Sequence, residues 1–359
     1  MQNIEKETVK KKYLYLEIMR IIAIFFVIFN HTGNDGYLLY SFKEMRSIQF
    51  WIYLFISVFS KFSVPLYFAI SGAVMLGREP ELLGKLWKRV ARIFVVLVFT
   101  SLFYYCVTLK TQGGVFDYHY FFGAINTVYL KYHLGFLYAY IVFLITLPFL
   151  QALVKALDDK YFYYMMAIAL FYDGILPIVE YLQFHGNRSL TDTLRASWLI
   201  SKVVLYPCIG YFLQHRFVIV PKKLVILGIL NVVGIAVSCV MTAYKGVHEG
   251  ILTTETFHNN FVLLNCIWIF CMVKYLFEHR QFRVEIEKLI YSMGTCTFGI
   301  YLIHIFFLEL PMCTNLVSFL GGKHLNPMFS AALLCLTIFG ICYMIAFLLK
   351  KIPILKQLL

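Results

Sequence analysis

Arg20 and His31 bracket a run of ten residues, nine of them apolar: Arg20-Ile-Ile-Ala-Ile-Phe-Phe-Val-Ile-Phe-Asn-His31. A guanidinium grips anions and an imidazole moves protons, so the pair has the parts to hold an anionic substrate and act on it as a base. At 100° per residue, a separation of eleven turns through about 1100°, which returns both side chains to one helical face. At 1.5 Å per residue they stand about 16 Å apart along the axis. Glu17, Arg20, Ile24, Val27 and His31 thus form one stripe. An arginine within a membrane span costs about 2.5–3.5 kcal/mol at the bilayer centre, and usually faces the bundle interior or a hydrated cavity. The alternative is that Arg20 snorkels to the inner surface and pairs with Glu17, leaving His31 as a polar cap at the outer end.

Further along, Lys88, Arg89 and Arg92 form a basic cluster. Arg89 and Arg92, three residues apart, fall on neighbouring positions of one helical face and could fork onto phosphate; such charges also bind lipid headgroups. Ser71 could donate to an oxyanion, although no recognisable base flanks it. Pro65 and Gly72 in the same stretch read as packing devices as much as parts of a substrate path. Tyr301 and His304 share a helical face, and His133 opens a later span at its outer mouth. Lys61, Asp173, Glu180, Lys202 and Glu309 lie within or near spans and are candidates to line a polar path.

The elements that must position these groups are membrane helices. Of the 359 residues, 61% are apolar and 14% charged, far from the balance of a soluble domain. Apolar runs of about 20 residues suffice to cross a hydrocarbon core near 30 Å thick. Hydropathy and turn signals place about ten spans, near 14–33, 50–76, 91–109, 134–154, 161–180, 197–213, 224–243, 258–277, 290–310 and 327–349. The outer segments then hold only Lys43, Arg46, Lys110, Lys131, Arg188, Arg195, Lys245 and Lys323. The inner ones hold the basic clusters from Lys6 to Lys12, Arg78 to Arg92, Arg216 to Lys223, Lys274 to Lys288 and Lys350 to Lys356. That asymmetry predicts an all-α bundle with both termini in the cytosol. It also explains the net charge of +13 without a nucleic-acid partner. Residues 1–359 are expected to form a single transmembrane domain with no fused soluble domain and a retained first helix. The nine cysteines show no CxxC pair and read as small apolar residues, so neither a metal nor a disulfide is expected.

An arginine, ten residues and a histidine on the first helix resemble the signature of the acyltransferase-3 family of membrane O-acyltransferases. Four further segments resemble that family in the expected order. They are Ser63-Val-Pro-Leu-Tyr-Phe-Ala-Ile-Ser-Gly72, Lys88-Arg-Val-Ala-Arg92, His133-Leu-Gly-Phe-Leu-Tyr138 through Pro148, and Ser292-Met-Gly-Thr-Cys-Thr-Phe-Gly-Ile-Tyr-Leu-Ile-His304. The chain departs from the pattern at Gly135, where the family commonly has tryptophan.

The resemblance implies transfer of an acyl group, most simply acetyl, from cytosolic acyl-CoA to a hydroxyl of an envelope polysaccharide or lipid-linked oligosaccharide. It implies His31 and Arg20 as catalytic residues, with Arg20, Lys88, Arg89 and Arg92 binding the donor. Ser71, Gly72, His133, Tyr301 and His304 would lie along the substrate path. No tightly bound cofactor is implied; acetyl-CoA would be a co-substrate, the bilayer the surroundings, and a partner protein is left open. The setting would be multi-pass in a bacterial plasma membrane. Two other expectations stand beside it. One is a polysaccharide or small-molecule exporter, which ten spans with intramembrane charges also suit. The other is a membrane acyltransferase of an unrelated fold, whose histidine lies late in the chain.

Overall fold

The computed structural model describes residues 14–79, 82–185, 189–191, 194–311 and 326–358. Lys6, Lys10, Lys11, Lys12, Arg188, Cys313 and Lys323 lie outside the described residues. Among those described, the regular structure is helical and contains no strand. Helix α1 covers Leu14–Asn30, α2 Ile48–Ser60, α3 Ser63–Met75, α4 Leu83–Gln112, α5 Tyr118–Thr127 and α6 Gly135–Ala156. Then come α7 (Asp159–Ala169), a π-helical turn (Leu170–Ile175), α8 (Leu176–Phe184), α9 (Leu205–His215) and α10 (Pro221–Glu249). The last are α11 (Val262–Phe277), α12 (Val284–Leu308), α13 (Pro327–Leu349) and the short α14 (Pro353–Leu358).

Every stretch expected to span contains helix, but the lengths divide them. Among the described residues, seven stretches are long and apolar enough to cross a membrane: 48–75, 83–112, 132–156, 159–184, 221–249, 284–308 and 327–349. At the other three expected spans stand α1, α9 and α11, with 17, 11 and 16 residues. These three belong to the interior. Every residue of α9 from Leu205 to Leu213 is buried, and a helix apolar on all sides is one that protein covers on all sides.

The expected sixth span needs correction. Residues 197–213 hold one helical turn at Ser197–Ile200, a break at 201–204 that carries Lys202, and only then α9. Hydropathy averaged over a window cannot register such a break. Irregular backbone is tolerated there because Ser201 and Lys202 line a polar cavity.

α1 runs through the middle of the bundle and packs against α3, α11, α12 and α13. Tyr15, Met19, Ala23, Ile24 and Ile28 are all but inaccessible. Between helices in lipid there is little hydrophobic driving force, so close packing of small residues does most of the holding. α3 and α9 approach through two glycines. A Cβ built at Gly72 would lie 2.0 Å from the Pro207 carbonyl oxygen, and one at Gly210 would lie 1.9 Å from that of Ala69. On the other side of α1, Gly294 of α12 leaves room for Glu17, whose Oε2 would sit 2.3 Å from a Cβ there.

The carboxyl end of α1 is tied down by polar contacts. Asn30 donates to the Ser60 carbonyl (3.1 Å) and to Ser63 Oγ (3.0 Å), and accepts from Ser60 Oγ (2.5 Å). The break between α2 and α3, at Lys61 and Phe62, is thereby fixed against the residue that precedes His31.

Candidate functional site

His31 is the first residue beyond α1, and its backbone N–H closes the last turn onto the Ile28 carbonyl at 3.0 Å. Its imidazole Nδ1 is 2.9 Å from Nε2 of His304, and His304 Nδ1 is 2.7 Å from the Tyr301 carbonyl oxygen. A carbonyl only accepts, so His304 carries its proton on Nδ1, and in the neutral ring its Nε2 is an acceptor. His31 then donates from Nδ1, which leaves the lone pair on His31 Nε2. That is the nitrogen a base must offer. His304 is inaccessible on α12 and acts on His31 as an orienting partner, the arrangement that holds a working imidazole in one tautomer. The Tyr132 ring packs beside His31 with centroids 5.2 Å apart.

His31 lines a cavity of about 910 Å³ whose wall is strongly polar. Asn30, Ser63, Tyr132, Tyr172, Asn259 and Asn260 contribute to it. So do Lys61, Arg195 and Glu255. Lys61 meets Glu255 at 2.7 Å, and Arg195 takes Glu180 through both carboxylate oxygens at 2.8 Å. Asp173, on the π-helical turn, and Lys202, in the break before α9, both face the cavity. Glu309 is drawn elsewhere, to Lys131 at 2.7 Å. A π-helical turn inside an α-helix costs backbone hydrogen-bond geometry and tends to mark functional positions. Here the Asn260 side chain donates to the Gly174 carbonyl at 2.8 Å.

Arg20 lines a second cavity of about 220 Å³, together with Arg92, Tyr67, Ser71, Phe136, Tyr140, Thr297, Phe298 and Tyr301. Its guanidinium bonds Glu17 Oε1, while Glu17 Oε2 is buried without a hydrogen-bond partner among the described residues. Tyr67 Oη donates to the Arg20 backbone carbonyl at 3.0 Å. Arg92 is exposed and donates to the Gln357 carbonyl at 3.4 Å. Two guanidiniums beside tyrosines and phenylalanines make a place for a group with an anionic head and an uncharged stem.

The two cavities lie end to end along α1. Arg20 belongs to one and His31 to the other, and Val27 and Val64 line both. The stripe from Arg20 to His31 thus borders two chambers that meet at a pair of valines.

The remaining sequence candidates divide. Arg92 joins Arg20, whereas Arg89 faces a neighbouring crevice with Arg78 and Glu79, so the two arginines do not converge on one site. Lys88 is exposed on α4 and lines neither cavity. Ser71 is on the inner cavity wall, but its hydroxyl is turned onto the Tyr67 carbonyl at 2.9 Å. Gly72 is spent on the contact with Pro207. His133 is buried and lines neither cavity, and its carbonyl accepts from Tyr301 Oη at 2.5 Å. Its neighbour Tyr132 takes the place on the wall.

Sequence reasoning missed Asn30, Tyr67 and Thr297. Asn30 left a trace, as the one polar residue between Arg20 and His31. Although His31, His133 and His304 gather here, no group of three or more His, Cys, Asp or Glu among the described residues has the arrangement to hold a metal ion.

A family model described as an acyltransferase domain matches residues 13–347, nearly the whole chain. With the membrane-length helices this defines the class: an integral-membrane acyltransferase. The chain belongs to the acyltransferase-3 family. No curated protein and no solved structure matches it. The family assignment displaces the exporter as the reading of these intramembrane charges.

Proposed function

We propose that the protein transfers an acyl group, acetyl in the simplest case, from cytosolic acyl-CoA to a hydroxyl of an envelope glycan or its lipid-linked precursor. The observation that carries this reading is the placement of Arg20 and His31 in two abutting cavities on one helix. The basic chamber suits the donor: Arg20 and Arg92 engage its phosphates, and the aromatic wall lodges the uncharged pantetheine arm. The polar chamber, with its amides, tyrosines, Asp173 and Lys202, suits a hydroxyl-rich acceptor.

His31 Nε2 takes the proton of the acceptor hydroxyl while its oxygen attacks the thioester carbonyl. The C–S bond breaks as the C–O bond forms, and the departing thiolate recovers the proton from the imidazolium. His304 keeps the His31 ring in register through both steps, since its Nε2 accepts from His31 Nδ1 whichever form His31 is in. Lys88 and Arg89 lie on the same basic face as Arg92 and contribute to donor capture by long-range attraction.

The test is mass spectrometry of surface glycans from cells with and without the gene, paired with free-thiol release from acetyl-CoA in membrane vesicles. A mass difference of one acyl unit, matched by thiol release that needs the protein, is expected. Identical glycans and no thiol release would refute the proposal.

A further inference from the structure

The donor and acceptor chambers communicate, in the reading above, only where Val27 and Val64 stand. Val27 lies seven residues beyond Arg20 and four before His31, about 10 Å and 6 Å along the axis of α1. Val64 is in the first turn of α3, next to Ser63, which holds Asn30. Val27 is buried and Val64 partly so, and each contributes to the wall of both chambers.

We infer that Val27 and Val64 form a fixed-width sieve that selects the acyl donor by the girth of its acyl group. Valine in a helix has one strongly preferred rotamer, so neither side chain swings aside readily. Nor are the helices free to part. α3 is pressed against α9 at Gly72 and Gly210, and α1 is held by Asn30 at one end and by the Glu17–Gly294 contact at the other. A thioester entering from the Arg20 side reaches His31 only if its acyl group fits between two immobile isopropyl groups. Slender acetyl passes, and an acyl group branched next to the carbonyl does not.

This rests on the proposed function, and the experiment separates the two. Inverted membrane vesicles are made from source cells lacking the native gene and supplied with wild type, Val27→Ala, Val64→Ala or Val64→Phe. They contain the native acceptor and expose the cytosolic face. Incorporation of label from acetyl-CoA and from isobutyryl-CoA is measured, together with binding of tritiated coenzyme A. Wild type is expected to use acetyl-CoA in preference. Each alanine variant should raise the isobutyryl-to-acetyl ratio by about tenfold or more, the scale on which an apolar site discriminates single carbons. Val64→Phe should lose acetyl transfer while binding coenzyme A like wild type. Alanine variants with an unchanged ratio overturn the sieve, as does a Val64→Phe variant that transfers acetyl normally. If Val64→Phe fails to fold, the alanine ratios decide alone. A wild type that incorporates neither label refutes the proposed function, and the sieve falls with it.

Discussion

Gly72→Ala is the smallest change that should disturb the whole site. The added Cβ would lie 2.0 Å from the Pro207 oxygen and 2.4 Å from its Cα, whereas real Cβ contacts essentially never fall below 3.0 Å. The obstacle is backbone on a buried helix, so no side chain can turn away, and α3 must retreat from α9 by about 1 Å. Overpacking of this kind typically costs about 1–3 kcal/mol. The same retreat carries Ser63, Val64, Tyr67 and Ser71 with it, loosening the Asn30 clasp and the hydrogen bond to the Arg20 carbonyl. Misplacing a reacting group by about 1 Å can cost about 100-fold in rate. Heating detergent-solubilised protein stepwise and following the monodisperse peak on size exclusion gives the stability, and vesicle transfer from acetyl-CoA gives the activity. Both should fall for Gly72→Ala and for Gly210→Ala. The double variant should lose less than the two combined, because one separation relieves both clashes. Unchanged stability and unchanged transfer in Gly72→Ala would show that the two backbones are not in contact, and the geometry assigned to the site would go with it.

His31→Ala should lower transfer by about 10²–10⁴-fold, the usual worth of a positioned general base, with coenzyme A binding retained; near-normal transfer removes His31 from the mechanism. His304→Phe should lower kcat with little change in the KM for acyl-CoA, and a change confined to KM would argue against an orienting role. Arg20→Gln should raise the KM for acyl-CoA and also destabilise the protein, since it strands the buried Glu17 carboxylate. Adding Glu17→Gln should restore the stability and leave the KM high; if the KM recovers as well, Arg20 acts through packing and not through the donor. Donor capture should weaken as ionic strength rises, because Arg92 and Lys88 are exposed and their attraction is screened. A KM for acyl-CoA that is indifferent to salt would count against that role.

What could be read from the sequence was what one helix dictates by its own periodicity. The shared face of Arg20, Val27 and His31 follows from 3.6 residues per turn, and so does that of Tyr301 and His304. What could not be read depends on neighbours. His31 and His304 are 273 residues apart, and nothing local announces that their rings meet. Arg89 and Arg92 are close on α4, yet α1 and α12 wall only the space before Arg92, while Arg89 faces the far ends of α3 and α6, so they serve different spaces. His133 was expected at a mouth because it starts a span; the short turn Tyr132–Leu134 instead tucks it inward and turns Tyr132 to the wall. The break around Lys202 vanishes into an averaged hydropathy window, and the close approach of Pro207 and Gly210 to α3 shows only in the packed structure.

The three short inner helices have an electrostatic consequence. Around α1 the two chambers meet at Val27, one helical turn before His31. A donor working there, as proposed, could leave its diphosphate moored at the basic rim and extend only an electroneutral tip through the waist of an hourglass. No ion would then have to be dehydrated for an acyl group to change sides, and the membrane potential would exert almost no pull on the step.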